Sequence, residues 1–135
     1  MSTHTPTARR TPIMVAEADH DLLTDLALAA LGKAPGAVLL FEELARAKVV
    51  PELPPFVVGM GSMATFTYND SRYREYELVY PQSADFSKHR ISVLTPVGAM
   101  LLGLAEGQAI EWTSEDGVTH RIALESVRSN VAAAR

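Results

Sequence analysis

The side chains best suited to chemistry in this chain are four histidines, a scatter of serines and sixteen carboxylates. His4, His20, His89 and His120 form no H-x3–5-H or H-E-x-x-H arrangement, and no cysteine is present to complete a zinc set. His120 falls on the apolar side of an alternating pattern, where a hydrogen-bonded structural role outweighs a ligand role. Ser62, Ser83, Ser87 and Ser92 lack a nucleophile elbow. Gly59-Met60-Gly61-Ser62-Met63-Ala64 carries the letters of the dinucleotide fingerprint. An alternating strand pattern follows it, where pyrophosphate binding needs a helix N-terminus. The expectation is a chain that is not an enzyme and holds neither metal nor cofactor.

The acids divide by position. Asp19, Asp21 and Asp25 suit the positive end of a helix, and Glu42 and Glu43 read as a solvated helix face. Carboxylates at the tip of a projecting helical arm can present a metal ion to another protein's active site. The tip here is Gly32-Lys33-Ala34-Pro35-Gly36, with no carboxylate, so metal delivery is disfavoured. Asp85-Phe86 differs, because an acid beside an aromatic ring in a loop also describes a partner-docking surface. Periodicity and composition leave both readings, solvated loop and docking surface, open.

These residues must be positioned by a small scaffold. A length of 135 residues supports one main domain with a helical appendage. Nothing approaches the ~18 apolar residues of a membrane span, and the polar start lacks a signal peptide's apolar core. No membrane partner is expected. A net charge of −4 argues against general nucleic-acid binding, and the lack of cysteine fits a reducing cytoplasm. A monomer is expected.

Residues 1–12 read as a disordered tail, and Ile13-Met14-Val15 as a short strand or extended lead-in. Residues 13–50 form a helical hairpin: a first helix over about 19–31, capped by Asp19 and stopped by Gly32, and a second from Ala37 to about Lys48. The first faces inward with Leu22, Leu26 and Ala29, backed by Leu23 and Ala30; the second with Val38, Phe41, Leu44 and Ala45. Glu42 can pair with Arg46 at i,i+4. The helices are antiparallel and project as an arm of ~18 Å. Residues 51–61 are a proline-rich linker, and beyond it the period falls from 3.6 to 2.

Residues 62–130 carry two β-hairpins, turning at Asn69-Asp70 and at Gly117, with strand 91–94 and a helix over 97–102 between them. That helix is apolar nearly all round, so it requires cover from a sheet. Pro96 suits its first turn and Gly103 its exit. Val127 is out of phase with Ile122 and Leu124, which predicts a bulge or strand end near Ser126. The fold class is α+β: an antiparallel helical hairpin, then an antiparallel sheet wrapped on a short helix.

Leu78-Val79-Tyr80-Pro81, Ser83-Ala84-Asp85-Phe86, Ile91-Ser92-Val93 and the run from Thr95-Pro96-Val97-Gly98 to Leu104 resemble the C-terminal domain of the GreA/GreB transcription elongation factor family. Within it the chain is most similar to the Rnk group, the regulators of nucleoside diphosphate kinase. Ile110-Glu111-Trp112 before the Gly117 turn adds to this likeness. The resemblance spans about residues 13–128 and is most specific in the C-terminal half. It implies a short N-terminal coiled coil and an FKBP-like C-terminal domain, the latter docking at the rim of the RNA polymerase secondary channel. DNA contact would then be indirect, through polymerase. The implied docking residues are Asp85, Phe86, Thr95 and Pro96. Transcript cleavage is not implied, because the arm is short and its tip lacks acids. The alternative is a regulator acting on nucleoside diphosphate kinase through another partner. A prolyl isomerase, using Phe66, Tyr68, Tyr76, Tyr80 and Trp112, ranks third, since core packing accounts for these rings.

Overall fold

In the computed structural model, which describes residues 12–114 and 116–128, a short apolar helix at Pro96–Leu101 (below, α3) sits at the centre of the sheet half. Thr95 caps it by accepting the Gly98 amide at 3.0 Å, Pro96 occupies its first turn, and Gly103 leaves it with φ 81°. Ala99, Met100, Leu101, Leu102 and Leu104 are all at most 1% exposed. Burying each of the larger side chains stabilises the fold by roughly 1.5–3 kcal/mol. The helix runs one residue earlier than the spacing alone suggests. The greater part of the expected N-terminal tail lies outside the described residues, as do residues 129 and 130 at the far end.

In chain order the elements are β1 (Met14–Ala16), α1 (Glu17–Ala30), α2 (Ala37–Arg46), β2 (Lys48–Val50), β3 (Met63–Tyr68), β4 (Ser71–Val79), β5 (Arg90–Ser92), α3, β6 (Ala109–Thr113) and β7 (Thr119–Arg128). Two 3-10 turns, Pro81–Ser83 and Phe86–Lys88, lie between β4 and β5. The fold is α+β, and the main sheet has the order β5-β4-β3-β7-β6. The sheet is mixed: β5 pairs parallel to β4, and the other pairs are antiparallel. The loop between β4 and β5 crosses over instead of turning back, which makes β5 parallel.

Both edges of β3 are irregular at Thr65. Against β7 the partners jump from Ser126 to Leu124, which is the bulge expected near Ser126. Against β4 they jump from Tyr76 to Tyr73 between Ala64 and Phe66. Glu75 there adopts φ 55° and donates its amide to Thr65 Oγ1 at 3.1 Å. A bulge re-aims the side chains that follow it. This one puts Tyr73 on the same face as Phe66 and Tyr76.

The helical half departs from expectation in several ways. β1 and β2 pair in parallel, Met14 opposite Lys48, and enclose the two helices. Strand formation at Lys48 ends α2 two residues early, and β1 runs straight into α1, whose start has no side-chain cap. Asp19 is therefore a first-turn acid and not the N-cap. The inward residues of α1 are Leu23, Ala27 and Ala30, a stripe one residue on from the expected one; Leu22 is 61% exposed. On α2, Ala37, Leu40, Glu43 and Leu44 are buried and Val38 is exposed. Glu43, expected on a solvated face, is 2% exposed, and it pairs with Arg46 at 3.4 Å in place of Glu42.

The hairpin also does not project as an arm. Leu23, Ala27, Leu40 and Leu44 belong to one core with Val58, Phe66, Leu101 and Ile122. At the tip, the Gly36 amide donates to the Leu94 carbonyl at 2.9 Å. The segment between the halves is stitched to the sheet side as well. Val58 exchanges backbone bonds with Gly103 and Leu104, and Gly61 donates to Leu78.

Candidate aromatic docking cleft

A cleft of about 390 Å³ opens between the sheet and the β4–β5 loop. The sheet contributes Phe66, Tyr68 and Tyr73 to its lining, the loop Ala84, Asp85 and Phe86, and the stretch beyond it Arg90, Ile91, Ser92, Thr95 and Val97. Phe66 is buried and stacks on Tyr73, with ring centroids 5.2 Å apart and planes 13° apart. Phe86 closes the rim, packing edge-on to Tyr73 at 6.2 Å and tilted on Tyr76 at 5.1 Å. It remains 59% exposed. His89 stacks on Tyr76 at 4.1 Å, so the loop grips that ring between two others.

The loop owes its shape to Asp85. One carboxylate oxygen, Oδ1, accepts both the Ser87 amide at 3.1 Å and the Ser87 hydroxyl at 2.6 Å. The Asp85 and Arg90 backbones exchange two bonds, of 3.1 and 3.0 Å, and Lys88 donates to the Asp85 carbonyl at 2.9 Å. His89 completes the tight turn at φ 60°. The Asp85 backbone and Oδ1 are thus engaged by the loop itself.

Sequence reasoning singled out Asp85, Phe86, Thr95 and Pro96, and the fold brings the first three to one cleft. Thr95 contributes shape, because its hydroxyl donates to the Ser92 carbonyl at 2.7 Å and accepts from Gly98. Pro96 lies behind it, at the start of α3 and outside the lining. Tyr73 was missed. The odd spacing of Tyr73 and Tyr76 hides their shared face from any alternation pattern, and only the bulge at Glu75 restores it.

Beyond Tyr68 the wall continues as an aromatic ladder. The Tyr68 hydroxyl lies 2.8 Å from His120 Nδ1, and His120 stacks on Trp112 at 4.9 Å. His120 is thus hydrogen-bonded and half-buried. Burial, with a smaller push from Tyr73, raises the Tyr68 hydroxyl above its ordinary pKa. The cleft lining is dominated by aromatic and aliphatic side chains. Among the described residues no three His, Asp or Glu side chains come together as a metal set. The arrangement suits binding a side chain of a partner.

The profile of "Transcription elongation factor, GreA/GreB, C-term" matches residues 53–129, more than half of the chain. The Rnk N-terminus profile matches residues 11–50. The chain belongs to the GreA/GreB family, with an Rnk-type N-terminus. The curated "Regulator of nucleoside diphosphate kinase" of Escherichia coli K12 is 42% identical over 95 residues, which cover 67% of this chain and 70% of that one. The Shigella flexneri protein of that name matches to the same extent. Among solved structures, "Prokaryotic transcription elongation factor GreA/GreB from Nitrosomonas europaea" superposes with a TM-score of 0.67 at 39% identity. That match covers 86% of this chain and 98% of the other. These GreA/GreB relatives are named as regulators and elongation factors. No helix among the described residues is long and apolar enough to cross a membrane.

Proposed function

We propose that this chain is a cytoplasmic, non-catalytic regulator of transcription elongation that docks on bacterial RNA polymerase near its secondary channel, with Asp85 and Phe86 at the centre of the contact. The reading rests on one observation above all. In a GreA/GreB chain, the Asp85–Phe86 loop borders an apolar cleft and leaves a large aromatic ring mostly in water. Binding hot spots are typically aromatic anchors and pockets of this kind. The hairpin is packed on the sheet half and its tip carries no acid, so the chain acts at the rim and does not deliver a metal ion into the channel.

A pull-down with purified RNA polymerase tests this. Retention of the wild type is expected, with loss on the double substitution Asp85→Ala, Phe86→Ala. Undiminished binding of the double variant would overturn the assigned surface, and no binding by the wild type would overturn the function.

The name of the 42% identical relatives supports a second reading, regulation of nucleoside diphosphate kinase through a partner other than polymerase. A purified two-protein assay separates the two. A direct change in kinase activity favours the second reading; a change in kinase level seen only in cells favours transcription.

A further inference from the structure

We propose that the helical hairpin acts as a clamp that sets the docking loop, with Asp19 and Tyr80 as positioning residues; this rests on the polymerase-docking reading above. Tyr80 is the last residue before the loop at 81–89, and its hydroxyl donates to Asp19 Oδ1 in the first turn of α1 at 3.2 Å. At the other end of the hairpin, the Gly36 amide donates to the Leu94 carbonyl at 2.9 Å, immediately before Thr95 of the cleft. A Cβ at Gly36 would stand 2.5 Å from the Leu94 oxygen and the Thr95 backbone, so the tip lies directly on this segment. One rigid hairpin therefore holds both flanks of the cleft-forming stretch.

The two attachments differ in kind, a backbone bond at Gly36 and a side-chain bond at Tyr80. The Gly36 side is backed by α2 packing on α3 within the common core. The Tyr80 side opens onto a second cleft of about 380 Å³ between α1 and β4, lined by Asp19, Glu77, Tyr80 and Ser83 among others. Beside this cleft the half-buried Tyr80 ring packs on the common core, and its hydroxyl bond to Asp19 ties the first flank of the loop to α1. The hairpin's role follows: it does not reach into a partner but fixes the geometry of the surface that meets one.

The test measures polymerase affinity of the full chain and amide hydrogen exchange of the free chain. Tyr80→Phe keeps the ring and removes the donor. Its dissociation constant should rise about 2- to 10-fold, the range of one modest hydrogen bond. Asp19→Ala should match it, the pair should be no worse than either alone, and Asp19→Asn, which keeps an acceptor, should restore most of the affinity. In the free Tyr80→Phe chain, the Lys88 and Arg90 amides should exchange faster while those of Phe66 and Ile122 do not change. Unaltered affinity with unaltered loop exchange would overturn the clamp, as would uniformly faster exchange, which marks a general loss of stability. Failure of wild-type binding, or full binding by the Asp85→Ala, Phe86→Ala chain, would instead overturn the docking reading beneath it.

Discussion

Asp85 and Ser87 share a single carboxylate oxygen: the Ser87 amide and hydroxyl both bond Asp85 Oδ1, at 3.1 and 2.6 Å. One oxygen thus shapes the loop, and under the proposed docking it is Oδ2 that would meet the partner. Ser87→Ala removes an exposed bond and should cost under about 1 kcal/mol of stability. Asp85→Ala removes the cap entirely and should cost about 1 kcal/mol. The expected order for polymerase affinity is wild type above Ser87→Ala above Asp85→Ala. Urea unfolding and a binding titration check it, and a Ser87→Ala chain that binds worse than Asp85→Ala would contradict the division of labour between the two oxygens.

Phe66 and Phe86 lie in one aromatic cluster but should respond oppositely to truncation. Phe66 is 1% exposed, so Phe66→Ala should cost about 3–5 kcal/mol of stability. Phe86 is 59% exposed and rests against the Tyr73 and Tyr76 rings. Phe86→Ala should therefore change stability by about 1 kcal/mol or less. As an anchor at the contact it should weaken polymerase binding ~30-fold, about 2 kcal/mol. Thermal unfolding beside affinity measurement separates the two effects.

The contrast between those rings bears on what the sequence disclosed. Local chemistry was readable: Pro96 and Gly103 bracket α3 as first-turn proline and left-handed exit, and the structure adds Thr95 as its cap. The phase break at Val127 announced its bulge. Neither depends on distant residues. The facing of the hairpin does. Leu22-Leu26-Ala29 and Leu23-Ala27-Ala30 are both apolar stripes, about 100° apart on the helix. The choice between them was made by surfaces from the other half of the chain, including Val58 and Leu101, which no window of α1 contains. Glu43 was hidden for the same reason. Tyr73 was hidden by a bulge, which inverts alternation without leaving a mark of its own.

Gly98 is the position where α3 meets the end of β5 most closely. A Cβ there would overlap the Ser92 carbonyl oxygen, with Val93 Cα about as near as a side chain ever comes. These are backbone atoms and cannot rotate away, so Gly98→Ala should cost at least the ~1–3 kcal/mol typical of overpacking. The shift should reach the cleft, since Ser92 and Thr95 both line it. Lower urea midpoints together with weaker polymerase binding are expected. A Gly98→Ala chain as stable as wild type would show that α3 and β5 can separate freely.

The Tyr80–Asp19 bond has a signature at alkaline pH. Burial first, then the charge of Asp19 and the bond to it, push the Tyr80 hydroxyl up to about 12. An unfolded tyrosine ionises near ~10. Between these values the unfolded chain has released a proton that the native chain still holds, so stability falls as pH rises through the window. The contribution of Tyr80 is complete below about pH 10 and is lost by about pH 12. Tyr68, also raised by burial, acts in the same direction. Urea unfolding followed across that range should show a shallower alkaline decline for Tyr80→Phe than for wild type, with the remainder due to Tyr68 and ordinary side chains. Equal slopes in the two chains would mean that Tyr80 ionises as freely folded as unfolded, and that Asp19 does not hold it.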